Sequence, residues 1–369
     1  MTAVPAFASC HSHVFHRALR GRVTGAGSFW RWRDRMYALA AVLDPDLLHE
    51  LATATYAEMR LAGIRTVGEF HYLHHGPDGT PYEDQNAMGE ALIAAARKSG
   101  LRIALLDACY LAGGFGRGVD GVQRRFSDGD AHAWAIRVEA LARKHAGDDD
   151  VVVGAAIHSV RAVPRDQLTT VASAFPEAPL HVHVSEQPAE NHDCLAATGL
   201  TPVRLLAEAG AWTPRTTAVH ATHLDTPDIA TLGDAGAYVC LCPTTEAELA
   251  DGIGPSVALR EAGARITLGT DSNTVIDMFA EARAVEMHER LRTGVRGAWT
   301  AEQLWAAAGT TGHASLGFAE PASIEIGRSV RTAGADEPLW AASAADVVGD
   351  PEDVAQRLDR AVAACWSRA

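Results

Sequence analysis

The chain has 369 residues and is 47% hydrophobic, so it can bury a large core as one barrel or as two modest domains. Its formal net charge of −14 argues against nucleic acid as a partner, because a phosphate-binding surface needs clustered Lys and Arg. No stretch approaches the roughly 18 uninterrupted apolar residues of a membrane helix, so we expect no membrane partner either.

The N-terminus and the cysteines both indicate a cytoplasmic protein. Residues 1–7 contain neither the basic segment nor the long apolar segment of a secretory signal. The cysteines lack the spacing of a zinc finger or a disulfide framework, which predicts reduced thiols. They are Cys10, Cys109, Cys194, Cys240, Cys242 and Cys365.

Eight short apolar runs follow one another along the chain. They are rich in Val, Ile and Ala and do not alternate with polar residues, which is typical of parallel strands covered on both faces. We predict strands at Phe7 to Val14, Ile64 to Phe70, Arg102 to Tyr110, Val151 to His158, Leu180 to Val184, Thr217 to Ala221, Ala237 to Cys242 and Arg265 to Gly269.

The stretches between these runs carry helical periodicity, as in Asp46 to Ala62, Asn86 to Ser99, Ala131 to Ala146 and Thr201 to Ala209. Several of them end in a glycine just before the next strand, as helix C-caps do: Ala62-Gly63, Ser99-Gly100 and Ala262-Gly263. Eight strand–helix units predict an α/β fold, a (β/α)8 barrel over residues 1–317.

Histidines and an aspartate recur where the predicted strands end. His11 and His13 are two residues apart at the end of the first strand, so their side chains point the same way and can bind one ion. Such a pair alone is a weak indication, since many such pairs are surface histidines. However, His183, His220 and Asp271 stand at three later strand ends, which is where this barrel places its functional groups. The pattern predicts one metal site.

The set of His11, His13, His183 and Asp271 offers nitrogen and oxygen ligands that suit one zinc ion per chain, and iron or manganese would also suit it. A metal there would make a water molecule nucleophilic near neutral pH. We therefore expect Asp271 to be catalytic as well as a ligand.

Two further residues complete the predicted chemistry. Glu186, three residues after His183, could move protons from the water to a leaving nitrogen; the alternative is a solvated loop carboxylate. His220 could orient the water or stabilise a tetrahedral centre; the alternative is a core histidine with satisfied hydrogen bonds.

Six segments together resemble the N-formimino-L-glutamate deiminases, zinc amidohydrolases of histidine degradation. The resemblance runs in the right order from about Phe7 to Gly317. The metal motifs are shared by the wider amidohydrolase superfamily, whereas "EFHYLHH" with "TTEAELADGI" is much more specific. The segments are "HSHVFHRALRG", "VGEFHYLHH", "HVHVSEQ", "AVHATHLD", "CPTTEAELADGI" and "LGTDSN".

The resemblance implies zinc ligation by the same four residues, with Glu186 as proton shuttle and His220 beside the reacting water. It also implies that Arg33, Tyr72 and Arg161 bind the glutamate portion of the substrate, and guanidinium groups do suit carboxylates. From local sequence alone, Arg33 fits a solvated basic patch better, and Tyr72 fits core packing equally well. The implied reaction releases ammonia and N-formyl-L-glutamate from a small anionic amidine, and the implied assembly is a homodimer.

Two positions depart from the family pattern near the substrate. His16 stands where many relatives have Gln, and we count it as substrate-binding; Asn273 stands where His is frequent. Both are predicted to affect how the formimino group or the water is held, and so to bear on the exact substrate and not on the reaction class. His71, His74 and His75 are predicted to shape or rim the pocket without binding metal.

The C-terminal part is shorter than the resemblance implies. Relatives build an accessory β-sandwich from residues before the first barrel strand and from the C-terminal segment, but here about six residues precede that strand and a deletion falls between Ile326 and Ser329. We predict that the sandwich is absent or vestigial and that residues 318–369 are mostly helical or irregular. One helical stripe is predicted at Val354, Leu358, Ala361, Val362 and Cys365.

Two other functions stay open at this point. One is deamination of another amidine, a guanidine or a purine-like molecule at the same metal site, although Arg33, Tyr72 and Arg161 favour a dicarboxylate. The other is a truncated, inactive amidohydrolase homologue, which the missing sandwich favours and the complete set of predicted metal and proton-transfer residues opposes.

Overall fold

Parallel strands curl into a barrel at the centre of the molecule. The structure, a computed structural model, describes residues 1–23, 29–319, 323–349 and 351–369. Its strands are β1 (Thr2–Val4), β2 (Phe7–Ser12), β3 (Ile64–His71), β4 (Arg102–Cys109), β5 (Ala112–Gly114), β6 (Arg117–Gly118), β7 (Val151–Ile157), β8 (Leu180–Val184), β9 (Thr216–His220), β10 (Tyr238–Leu241), β11 (Arg265–Leu268) and β12 (Ile324–Ile326).

Eight of these strands pair in parallel in the order β2-β3-β4-β7-β8-β9-β10-β11. The barrel closes between β11 and β2 through a bridge at Ser12 and Asp271. There the N–H of His13 donates to the carbonyl of Asp271 at 2.8 Å, and the N–H of Asp271 donates to the carbonyl of His11 at 2.9 Å. The predicted barrel and its eight strands are confirmed, and closure brings the first and last strand ends together.

Helices cover the outside of the barrel and begin and end at residues that suit these positions. The four predicted helices are confirmed as α2 (Pro45–Leu61), α3 (Ala87–Ser99), α4 (Ala131–Lys144) and α7 (Pro202–Glu208). Asp44 caps the first turn of α2 by accepting from the N–H of Leu47 at 2.8 Å, and Pro45 occupies the first turn. Gly100 ends α3 in the left-handed conformation, with φ of 69°. The α-helices are α1 (Phe29–Val42), α2 (Pro45–Leu61), α3 (Ala87–Ser99), α4 (Ala131–Lys144), α5 (Arg165–Ser173), α6 (Pro188–Thr198), α7 (Pro202–Glu208), α8 (Thr226–Asp234), α9 (Pro243–Leu249), α10 (Ser256–Glu261), α11 (Met278–Thr293), α12 (Ala301–Ala308), α13 (Thr310–Ser315) and α14 (Glu352–Trp366); the 3-10 helices are Val14–Leu19, Pro77–Gly79, Gly121–Phe126, Pro338–Trp340 and Ala344–Asp346.

Two small antiparallel sheets lie outside the barrel. β1 pairs with β12, and β5 pairs with β6 in a hairpin. β1 precedes the first predicted strand, which begins at Phe7, and its three residues are too few to show a pattern in the sequence. The tail returns to the barrel through α14, where the indole N–H of Trp366 donates to the carbonyl of Ala18 at 2.7 Å. Within the described ranges, none of the helices is both long and apolar enough to cross a lipid bilayer.

Candidate active site

Four side chains from three strand ends converge at the C-terminal mouth of the barrel. Nε2 of His183, on β8, lies 3.1 Å from Nε2 of His11 and 3.3 Å from Nε2 of His13. Oδ1 of Asp271 lies 3.4 Å from Nε2 of His11 and 3.6 Å from Nε2 of His13. All four residues are buried.

This spacing fits a metal ion. A tetrahedral zinc with bonds of about 2.0–2.2 Å separates its ligand atoms by roughly 3.3–3.6 Å, close to the observed separations. Nδ1 of His13 lies 3.0 Å from the carbonyl of Phe70, and Nδ1 of His183 lies 2.9 Å from the carbonyl of His158. A carbonyl only accepts, so each Nδ1 carries the proton and each Nε2 keeps a lone pair for a metal.

The charges of the four groups also suit metal ligation. Burial lowers the pKa of His11, His13 and His183, which keeps their imidazoles neutral. Burial would raise the pKa of Asp271, but the hydrogen bond from His11 and the charge of His220 outweigh it and lower the pKa, so Asp271 is a carboxylate. These residues could therefore hold a divalent metal ion.

Three residues at the strand ends that form the site have unusual backbone conformations. Asp271, His220 and Ser185 have φ of 45°, 67° and 52°, in the left-handed region that side chains other than glycine rarely adopt. Each such residue costs about 1–3 kcal/mol and persists where the surrounding structure enforces it. The three residues lie at or just after the ends of β11, β9 and β8, so the strain is concentrated at this mouth.

Glu186 and His220 stand beside the four donor atoms. Nε2 of His220 lies 4.0 Å from Oε1 of Glu186 and 3.9 Å from Oδ2 of Asp271. On the other side of the ring, Nδ1 of His220 lies 3.3 Å from Oε1 of Glu246, which also accepts from the N–H of Cys242 at 2.8 Å. Burial alone would lower the pKa of His220, but the surrounding carboxylates, Glu186 foremost, raise it well above its usual value.

A cavity of about 910 Å³ opens from this centre, and the four predicted substrate-binding residues all line it: His16, Arg33, Tyr72 and Arg161. Nε2 of His16 lies 3.0 Å from the hydroxyl of Tyr72, and burial lowers the pKa of His16 to about 3, so His16 is neutral there. Tyr72 is thus both buried and in contact with the cavity. The Arg33 guanidinium lies 5.4 Å from the ring centre of Tyr37, at the cavity and not in a solvated patch.

Other predicted pocket residues lie elsewhere. Asn273 is fully buried, donates to Ser12 Oγ at 3.0 Å and accepts from Thr270 Oγ1 at 2.6 Å, so it braces the barrel closure and does not line the cavity.

The prediction that His71, His74 and His75 rim the pocket is wrong. Successive side chains of a strand point to opposite faces, and Phe70 faces His183 in the barrel mouth while His71 faces helix α3. His74 and His75 lie near Asp107 and Asp128, in a buried ion-pair network outside the barrel.

Several residues that line the cavity have no role predicted from the sequence. Among them are His158 and Tyr110, at the ends of β7 and β4, and the glycine-rich hairpin of β5 and β6. Glu246, behind His220, was also left without a role. His158, Tyr110 and Glu246 each follow a barrel strand, and this position could have indicated them from the sequence. The sequence of the hairpin contains no feature that indicates a role in the cavity.

Comparison with known proteins agrees with this architecture. A model of the amidohydrolase family matches residues 2–329. The chain belongs to the amidohydrolase family. The family expected from the sequence motifs is thereby confirmed at this level.

Three similar proteins illustrate the relationship. This amidohydrolase is 37% identical to the formimidoylglutamate deiminase of Pseudomonas aeruginosa, over 78% of this chain and 65% of that protein. It is 27% identical to a 5-methylthioadenosine/S-adenosylhomocysteine deaminase of Teredinibacter turnerae, over 88% of this chain and 69% of that protein. The crystal structure of an amidohydrolase from Brucella melitensis superposes with a TM-score of 0.90 and 30% identity, over 99% of this chain and 90% of that one. The chain thus spans about two thirds of the length of these curated relatives.

Proposed function

We propose that this amidohydrolase is a zinc-dependent enzyme that hydrolyses N-formimino-L-glutamate to N-formyl-L-glutamate and ammonia. One observation carries the proposal: a single cavity joins a His/Asp metal-ligand set to arginine guanidinium groups, among them those of Arg33 and Arg161. The substrate has the matching chemistry, with an amidine at one end and two carboxylates at the other. The similarity to the Pseudomonas aeruginosa formimidoylglutamate deiminase supports the same substrate.

Zinc is proposed because three imidazoles and one carboxylate form a donor set that this ion prefers. When bound, zinc supplies Lewis acidity, which makes a water molecule nucleophilic near neutral pH. His11, His13, His183 and Asp271 would hold it. We also propose a cytoplasmic location, which the six unpaired cysteines support.

Glu186 is proposed to move the protons of the reaction. As water adds to the amidine carbon, a C–O bond forms and the Glu186 carboxylate takes a proton from the water. Glu186 then gives this proton to the terminal nitrogen, and it also carries the hydroxyl proton of the tetrahedral intermediate to the same nitrogen. The C–N bond breaks, ammonia leaves, and a formyl C=O remains on the glutamate nitrogen.

His220 is proposed to stabilise the charge of the tetrahedral intermediate. Its Nε2 faces both Glu186 and Asp271, so a proton on this atom can donate to the oxygen that develops negative charge. Glu246, which faces the opposite ring nitrogen, favours the charged imidazolium and fixes the plane of the ring.

Arg33 and Arg161 are proposed to bind the two substrate carboxylates, since planar guanidinium groups bind carboxylates through paired hydrogen bonds. Deamination of a purine-like substrate is the second candidate, favoured by the similarity to the Teredinibacter turnerae deaminase. Replacing Arg161 with Ala separates the two: it should raise KM about 100-fold for a dicarboxylate substrate, an effect of roughly 2.8 kcal/mol, and change KM little for a neutral base.

The proposal is tested by measuring ammonia release from N-formimino-L-glutamate by the zinc-supplemented 369-residue chain, with Asp271→Ala as the blank. Release that disappears in the variant supports both the reaction and the metal site. A folded, zinc-loaded protein that releases no ammonia would overturn the substrate assignment. A metal-free, aggregated protein would instead support the truncated, inactive homologue.

A further inference from the structure

A buried carboxylate near the cavity has no role in the chemistry proposed above. Glu190, on helix α6 (Pro188–Thr198), is only 2% exposed. Neither of its carboxylate oxygens has a hydrogen-bond partner in the described part of the chain. A charged group is costly to bury unless it is paired, so its position calls for a functional or electrostatic partner.

The partner is Arg161. Oε2 of Glu190 lies 3.9 Å from Nε of Arg161, and this Nε is itself buried without a hydrogen-bond partner in the described residues. The distance is too long for a hydrogen bond but suits an ion pair. Arg161 lines the cavity and Glu190 does not, so the carboxylate stands behind the guanidinium, away from the substrate space.

We propose that Glu190 is a positioning residue that holds the Arg161 guanidinium for bidentate binding of a substrate carboxylate. Because Nε of Arg161 faces Glu190, the terminal N–H groups of Arg161 can donate to a ligand in the cavity. An arginine held in this way loses less conformational freedom when the carboxylate binds. The proposal rests on the function proposed above, because that function gives Arg161 a carboxylate to bind.

A second role for Glu190 would give a different signature. Glu190 is four residues after Glu186 in sequence. Burial raises the pKa of Glu190 to about 7, with Arg161 opposing this rise and Glu186 adding to it, so Glu190 is a carboxylate above about pH 7. Arg161 and His220 are the other charged groups that act on Glu190. If Glu190 acted mainly on proton transfer by Glu186, its replacement would change kcat and the pH profile of kcat. If it positions Arg161, the change falls on KM and only for carboxylate-bearing substrates.

The experiment compares Glu190→Gln, which keeps the shape and removes the charge, with the zinc-loaded wild-type chain. We would measure kcat and KM for N-formimino-L-glutamate and for N-propylformamidine, an amidine without carboxylates, and the Kd of glutarate by calorimetry. We expect KM for the dicarboxylate and Kd for glutarate to rise about tenfold, with kcat within about twofold and the carboxylate-free amidine unaffected. Glu190→Asp should recover part of the glutarate affinity, because it restores the charge. Glu208→Gln, at an exposed ion pair with Arg165, is the matched control and should match wild type.

Equal losses on both amidines, a fall in kcat alone, or unchanged glutarate binding would overturn the role of Glu190. Failure of the proposed function is seen separately, as a folded, zinc-loaded wild type that does not turn over N-formimino-L-glutamate. In that case, the binding of glutarate still tests the role of Glu190. Weaker binding by Glu190→Gln than by wild type would support positioning of Arg161, whereas equal binding, or no binding by either protein, would refute it.

Discussion

Adding one methyl group at Gly269 should weaken the metal centre without touching a ligand side chain. Gly269 follows β11 and lies against β2, where the barrel closes. A Cβ at this position would lie 2.8 Å from the carbonyl oxygen of His11 and 2.9 Å from both its amide nitrogen and its Cβ. His11 belongs to a paired strand, so its backbone cannot rotate away as a flexible side-chain end would.

The size of the effect follows from these distances. To reach an ordinary contact of 3.4 Å, His11 must move by about 0.5 Å. Metal sites tolerate ligand displacements of only about 0.2 Å. We therefore expect Gly269→Ala to reduce zinc affinity about 10–100-fold, or roughly 1.4–2.8 kcal/mol, and to destabilise the fold by about 1–3 kcal/mol through overpacking.

The assay is competition for zinc against a chromophoric chelator, together with thermal melts with and without zinc. Zinc should raise the Tm of Gly269→Ala less than the Tm of wild type. Gly327→Ala is the control, because its added Cβ would meet its nearest atom at 3.4 Å, in the small sheet outside the barrel. An unchanged zinc Kd with an unchanged Tm in Gly269→Ala would refute the claim that closure of the barrel sets the ligand geometry.

Two further predictions concern buried charges. Replacing Arg137 with Met should cost about 3–5 kcal/mol, because its guanidinium donates to Asp107 at 2.8 Å twice and also binds Asp128. Burial would raise the pKa of Asp107, but Arg137 lowers it to about 2. The stabilisation by this ion pair is therefore present above about pH 4 and is lost as the pH falls toward 2. In urea titrations, the difference in free energy of unfolding between wild type and Arg137→Met should narrow over that pH range. Glu246→Gln should lower kcat about 10–100-fold with little change in KM, because it weakens the orientation and charge of His220.

Variants of exposed residues serve as controls for Arg137→Met and for Glu246→Gln. Arg143→Met, which removes an exposed ion pair with Glu139, should change stability by less than about 1 kcal/mol. Equal losses in Arg137→Met and Arg143→Met would contradict the special role of the buried pair. Glu248→Gln alters an exposed carboxylate two residues from Glu246 and should leave kcat unchanged. A wild-type kcat in Glu246→Gln would show that His220 needs no carboxylate behind it.

Local sequence was sufficient to predict the barrel and to predict that His11, His13, His183 and Asp271 come together at its mouth. Short non-alternating apolar runs indicate buried parallel strands wherever they occur, and alternation along a strand puts His11 and His13 on one side. Because this fold presents the ends of all its strands at one mouth, residues far apart in sequence could be assigned to one centre before any distance was known.

Only the tertiary structure decided how the surrounding side chains are used. Arg33 sits among other arginines in a pattern typical of a solvated patch, yet the packing of α1 brings it to the cavity. Glu190, a charged residue of α6, is buried behind Arg161. Sequence patterns determine which elements form and which faces they bury, but contacts between elements depend on how the sheet closes and how the helices pack, which no local pattern encodes.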